Sequence, residues 1–279
     1  MIKPTKILDF YIDFNIHVAV AAACLVLVTQ AHFEIEIIEF SPYFIFFSTL
    51  LGYQFIRIFN NCKCNIKTIR SNLKKQTPTV LIVSLLSILG SLYFGIKIGI
   101  SYLWILIPSS IITIWYTIPL FKIKGNHTSL RNYPSIKIFS IALVWSINTV
   151  LFPLQDYSSE PQIWLEFLQR FFLIIVLLIP FDIRDIYNDA TLLQTLPQKV
   201  GVLNAKKIGF LYLILFFVFS FFKQPLSAHL LISELLIVII SLLFLVKATT
   251  NQSKYYASFW VESIPIFWWV VLSFFSYYL

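Results

Sequence analysis

Residues 163–189 read IWLEFLQRFFLIIVLLIPFDIRDIYND. The stretch 163–181 is about as long as a helix must be to cross roughly 30 Å of hydrocarbon at about 1.5 Å per residue. It ends at Pro180-Phe181-Asp182 in a cluster of acids. Applied outward along the chain, the same measure yields nine apolar runs, near 12–30, 42–59, 78–96, 100–120, 136–154, 163–181, 206–222, 229–247 and 259–278. Only Gly95 to Ser101 separates the third run from the fourth, which predicts a tight turn carrying Gly99.

Composition agrees. Of 279 residues, 58% are hydrophobic and 12% charged, a mixture that requires lipid as solvent. The 28 Phe, 14 Tyr and 7 Trp suit interfacial aromatic belts. The expected class is an all-α integral membrane protein with nine transmembrane helices, one domain over 1–279. The first run follows Asp9 and Asp13 and ends without a small-residue cleavage site, so it is expected to be retained as a helix.

Basic residues test this arrangement independently of hydropathy. With the N-terminus inside, 18 of the 21 Lys and Arg fall on the inner side, all except Lys97, Arg170 and Lys223. The outer side carries Glu34, Glu36, Glu39, Asp156, Glu160 and Glu166. The net charge of +8 is therefore a property of the membrane face and gives no reason to expect nucleic-acid binding. A multi-pass protein of the bacterial inner (cytoplasmic) membrane is the expected setting. Its long cytoplasmic segments, near 54–77, 121–137 and 182–207, are where function is expected. Cys62 and Cys64 lie in the first of them, a reducing compartment.

At about 100° per residue, Asp182, Asp185 and Asp189 would share a stripe about 60° wide if the sixth helix continued through them. Two carboxylates about 6 Å apart repel by roughly 3 kcal/mol at an effective dielectric of about 20, so such a stripe recruits cations. Two sources of cation fit. One is Mg²⁺ shared with a substrate phosphate; the other is pairing with Arg184, Lys199, Lys206 or Lys207 at a solvated helix end. Gln54, Arg57 and Asn61 repeat the same offsets at the inner end of the second run, predicting matched polar stripes on one cavity. Trp145 and Asn148 are candidates for cavity lining or for helix packing, and Glu262 for the cavity or for pairing with Lys254. His17, His32, His127 and His229 are too scattered for a metal site, and no nucleophilic triad or Gly-rich phosphate loop occurs.

At these residues the chain resembles the UbiA superfamily of membrane prenyltransferases. Asp182-Ile-Arg184-Asp185-Ile-Tyr-Asn-Asp189, followed by Thr195-Leu196-Pro197, Gly201 and Ala205, is similar to that family's second aspartate motif and its trailing segment. Tyr116-Thr117-Ile-Pro119-Leu-Phe-Lys122 and the stretch Lys137 to Trp145 are further matches. The resemblance implies nine helices around a central cavity open to the membrane, in which an isoprenoid diphosphate is held by Mg²⁺, and transfer of its prenyl group to an aromatic or other hydrophobic acceptor. It implies metal-binding and catalytic roles for Asp182, Asp185 and Asp189, and substrate contacts from Gln54, Arg57, Asn61, Tyr116, Lys122, Lys124 and Arg131. The family's first aspartate motif would fall on Tyr53, Gln54, Arg57 and Asn61, where its three aspartates are missing. Arg57 then either binds diphosphate directly or pairs with Asp182 or Asp185 and closes the site. Retained prenyl transfer, altered or lost transfer with lipid-phosphate binding, and a small transporter are the function classes left open.

Overall fold

The computed structural model describes residues 4–33, 38–59, 77–119, 121–123, 126–130, 136–157, 159–187, 195–224 and 227–278. Its elements follow the apolar runs closely. α1 (Pro4–Asp13) turns at Phe14-Asn15 into α2 (Ile16–Phe33), with Asn15 at φ 61°. Next come α3 (Ser41–Phe59) and α4 (Pro78–Ile98). α4 begins at the Thr77 cap and ends at Gly99, whose φ of 100° is open to glycine and strained for residues with a Cβ. The tight turn at Gly99 is thus present. A 3₁₀ segment, Ile100–Leu106, then runs into α5 (Ile107–Thr117).

A two-stranded antiparallel hairpin, β1 (Phe121–Ile123) and β2 (Asn126–Thr128), interrupts the helices. α6 (Ile136–Ser146) continues as a π segment, Ile147–Leu151. α7 (Pro161–Arg184), the short α8 (Leu196–Val200), α9 (Val202–Ser220) and α10 (Ala228–Lys247) follow. A second π segment, Tyr256–Val261, leads to α11 (Ile264–Tyr278).

Seven of these rods are long and apolar enough to cross a membrane: α2, α4, the 100–117 rod, α7, α9, α10 and the rod 256–275. α3, with Gln54 and Arg57 in its last turns, and the shorter rod 136–151 fall outside that group. Burial ranks the helices. α7 and α2 are 61% and 56% buried and form the centre, whereas α4 is 17% and the 100–117 rod 11% buried. The outer rods expose Leu85, Leu89, Ile96, Ile100 and Trp104, a continuous apolar surface that hydrocarbon satisfies and water does not. Where α7, α9 and α10 meet, Gly209 lets the backbones close up: a Cβ there would come within 2.7 Å of Leu245 and 2.9 Å of Ile179.

The opposite end of the bundle from the basic loops is held by charge. The basic-residue count puts Arg170 and Lys223 on the outer side and Glu166 in an outer loop, but Glu166 and Arg170 lie inside α7 with no exposed surface. α7 begins at Pro161, so Glu166 and Arg170 stand one turn apart on its inward face. One Glu166 oxygen accepts from Arg170 at 2.8 Å. The other lies 2.8 Å from His32 Nδ1 of α2 and 2.9 Å from Lys223 Nζ, just beyond α9. Lys223 also reaches Glu234 of α10 at 2.7 Å. Arg170 donates to the Leu25 carbonyl and to Thr29, and its guanidinium lies 5.5 Å from the Trp268 ring centre in α11. Four helices and the turn that follows α9 meet in this one network.

Removing one charge from such a network leaves its partners buried and uncompensated. Lys223→Met is expected to lower stability by about 3–5 kcal/mol, the range for a broken buried pair. Thermal unfolding in detergent checks this, and a loss under about 1 kcal/mol would show the network to be dispensable.

Candidate functional site

At the basic end of the bundle, two helix ends determine what the predicted site residues touch. α1 stops at Asp13, leaving its last carbonyls without helical partners. The end of α3 supplies them. Gln54 donates to the Phe14 carbonyl at 3.3 Å, and Arg57 donates to the Asp13 carbonyl with its guanidinium over the Phe14 ring. A cation also suits the negative end of the α1 dipole. Arg57 makes no ion pair with Asp182 or Asp185 among the described residues, so the expected site-closing pair is not formed.

Helical periodicity explains the difference. Ile45, Thr49, Gly52, Tyr53 and Ile56 recur at i+4, i+7, i+8 and i+11 and line a cavity, so they share one face of α3. Gln54 and Arg57 lie off that face. Gln54 is buried, as an intramembrane polar residue should be, but against the α1–α2 corner rather than the cavity. Asn61 lies outside the described residues.

The α7 end is different again. α7 closes at Arg184 with Asp185 as its cap, so the single helical stripe expected through Asp189 stops there; Asp189 lies outside the described residues. Asp182, 3% exposed, accepts from Lys137 of α6 at 2.9 Å. Asp185 accepts two bonds from Arg184, at 2.8 and 2.9 Å, and Arg184 also donates to Ser258 of the second π segment. Of the partners expected for the acids, Arg184 is present, whereas Lys206 instead donates to the Val246 carbonyl. Lys137 was not foreseen as a partner. It stands 45 residues from Asp182, and no local spacing links them.

The segment after α7 folds as its small residues dictate. The Thr195 amide donates to Gln198, Pro197 sits in the first turn of α8, Gly201 turns the chain at φ 83°, and Ala205 is fully buried. Lys254 pairs with Asp9 at 2.9 Å and Asp13 at 3.1 Å, not with Glu262 as expected. Hydrogen bonds from Lys254 and then Tyr255 hold the Asp9 carboxyl below the usual carboxylate range. This surface latch is therefore complete at neutral pH and loosens as acid protonates Asp9.

Between α2, α3, α5 and α6 lies a cavity of about 290 Å³. Tyr53, Tyr116, Trp145 and Asn148 border it, with apolar groups such as Ile45, Ile56 and Ile112. Tyr116 is thus where a substrate contact was expected, and Trp145 and Asn148 line the space rather than only packing helices. From Ile45 to Ile56 the cavity follows α3 for about 16 Å at about 1.5 Å per residue, roughly half a bilayer core. A Cβ added at Gly52 would meet nothing within 4 Å and would project into this space. A smaller cavity of about 40 Å³ shares Tyr53, Ile141 and Trp145 with it and is bordered also by Phe181 and Glu262. Lys122 is in β1, its side chain outside the described set; Lys124 and Arg131 lie wholly outside the described residues. No group of three metal-ligating His, Cys, Asp or Glu occurs among the described residues.

Comparison of the chain with protein-family models, with curated proteins and with solved structures returned no match.

Lys137→Ala is expected to lower stability by about 1–3 kcal/mol, because Asp182 would lose a partner in a nearly closed site. Lys137→Ala combined with Asp182→Asn should recover part of the loss in a thermal-unfolding double-mutant cycle. Additive losses would show that the pair contributes nothing as a pair.

Proposed function

We propose that this chain is a UbiA-like membrane prenyltransferase of nine passes, the seven apolar rods together with α3 and the rod 136–151. Its basic end faces the cytoplasm, and it takes an isoprenoid diphosphate and a hydrophobic acceptor from the bilayer. The observation that carries the reading is the cavity between α2, α3, α5 and α6. It is apolar with a few aromatic and hydroxyl groups, near the lower end of the roughly 300–1,000 Å³ common for ligand sites, and large enough for one short prenyl chain. Its basic-end limit, at Ile56, Tyr116 and Ser140, lies close in sequence to Lys137 and to the 121–137 segment with Lys122, Lys124 and Arg131. A tail in the cavity then leaves the diphosphate among cations at the membrane surface.

In prenyl transfer the allylic C–O bond breaks, the diphosphate leaves with the electron pair, and the acceptor forms the new bond and loses a proton. A dry cavity with aromatic faces shelters the positive carbon from water. The described acids are a poor fit to a magnesium cage, because Lys137 and Arg184 already neutralise Asp182 and Asp185, and α3 brings no carboxylate to face them. Binding of the diphosphate by cations is therefore the step proposed for this chain's own residues.

The same pairing favours a second reading, in which the fold binds a lipid phosphate without turning it over. The two separate in one assay. Purified protein in nanodiscs, given radiolabelled farnesyl or geranylgeranyl diphosphate, Mg²⁺ and quinone precursors, is expected to transfer label. Gly52→Phe, which fills the cavity, is expected to weaken diphosphate binding at least about tenfold. Binding without transfer selects the second reading; no diphosphate binding by the parent protein, or undiminished binding in Gly52→Phe, removes both.

A further inference from the structure

The carboxyl of Glu262 borders the smaller cavity in company otherwise apolar except for Tyr53 and Trp145: Val18 and Ala21 of α2, Ile174 and Phe181 of α7, and Pro265 of α11. Ionisable groups are expensive inside a membrane protein, and those that are kept commonly mark sites of binding or reaction. The acids at the opposite end are accounted for, since Glu166 and Glu234 are both held by Lys223. Asp182 and Asp185 are likewise held by Lys137 and Arg184. Among the described residues no hydrogen bond or ion pair engages the Glu262 side chain. Arg184 acts on it only at longer range, with its hydrogen bonds given to Asp185 and Ser258.

The backbone beneath Glu262 is built to hold it there. It follows directly on the π segment Tyr256–Val261, and π turns recur at functional sites because they re-aim the residues around them. His17 of α2 fixes this turn, its Nε2 lying 3.0 Å from the Phe259 carbonyl and 3.1 Å from the Ser263 hydroxyl, and its ring stacked on Phe259. The first π segment, Ile147–Leu151, borders the larger cavity and carries Asn148, whose Oδ1 is buried without a partner. Asn148 on one π segment and Glu262 directly after the other thus bring unsatisfied hydrogen-bond acceptors to two cavities that share Tyr53, Ile141 and Trp145. At about 40 Å³ the smaller cavity holds little more than one or two water-sized groups. It has room for a hydroxyl and not for a ring, while Tyr53 and Trp145 border both spaces and could flank a ring in the larger one.

We propose that Glu262, with Asn148, is the polar seat for a hydroxyl-bearing aromatic molecule, which donates its O–H to the Glu262 carboxyl while its ring lies between Tyr53 and Trp145. In the reading of this chain as a prenyltransferase, on which this inference builds, the molecule seated there is the acceptor.

Two measurements on the whole protein in nanodiscs test the seat. Dicyclohexylcarbodiimide, a lipid-soluble reagent that adds to a carboxyl as a stable acylurea, is expected to label Glu262 in preference to Glu166 and Glu234. Peptide mass spectrometry reads the adduct, and Glu262→Gln is expected to lose it. 1-Naphthol is expected to protect against labelling at least about fivefold better than naphthalene, which has the ring without the donor. Equilibrium dialysis is expected to show naphthol binding weakened about tenfold in Glu262→Ala, with naphthalene binding unchanged.

Absence of label at Glu262, equal protection by the two probes, or equal naphthol affinity in parent and variant would each overturn the proposal. Glu262→Leu, close in size and without an acceptor oxygen, provides the variant for the case in which Glu262→Ala unfolds. The outcomes also separate the seat from prenyl transfer. Naphthol binding that depends on Glu262 without any transfer leaves the seat standing and the transferase reading fallen. Transfer with an unchanged acceptor KM in Glu262→Leu does the reverse.

Discussion

The carboxylate of Glu166 cannot remain alone in hydrocarbon, and the structure at that end of the bundle is arranged around answering it. His32, Arg170 and Lys223 converge on its two oxygens from three elements, and Lys223 carries the connection on to Glu234. A buried network of this kind adds little net stability compared with apolar packing, but any sliding of one helix past another separates charges in a low-dielectric interior. It therefore sets register more than it adds energy. The helices it fixes include α2, which with α3, α5 and α6 also encloses the larger cavity, and α11, which follows the Glu262 turn. Precision at one end of the bundle is a condition for empty space being preserved nearer the other.

Much of this was legible in the sequence, because a lipid solvent leaves few alternatives. Apolar length and alternating basic loops gave the runs within a few residues of the helices, and Gly99 gave the turn between α4 and the 3₁₀ segment. The internal breaks were not legible. Nothing in Trp145-Ser146-Ile147-Asn148 or Tyr255-Tyr256-Ala257-Ser258 announces a π turn, since a π turn adds one residue to a helix without changing its apolar character. The charge rule also read Arg170 and Lys223 as topology residues. The spacing of Glu166 and Arg170, four apart in an apolar run, was the available sign that they face inward together.

For the candidate site, periodicity showed which residues share a face and was silent on what the face meets. Gln54 and Arg57 do form one polar stripe, yet the unpaired carbonyls at the end of α1 claim it. The shared stripe of Asp182, Asp185 and Asp189 depended on the helix continuing, and α7 instead closes at Arg184 with a turn over 185–187. The cavity face of α3, one residue out of phase with that stripe, contains Gly52 and Tyr53 among plain aliphatics. In a sequence this rich in apolar residues such a face has no contrast against its surroundings. Tyr116 stood out only through the family resemblance, and the structure puts it on the cavity wall.

The scant burial of the 100–117 rod has a directional meaning. This rod supplies Ile112, Thr113 and Tyr116 to the cavity while most of its own surface is open. On the proposed reading, a guest dissolved in the surrounding lipid is separated from the interior by a partition one helix thick, about 10 Å. The shortest road inward is then sideways, through the least anchored plank of the fence, and a greasy visitor need never surface into water to arrive.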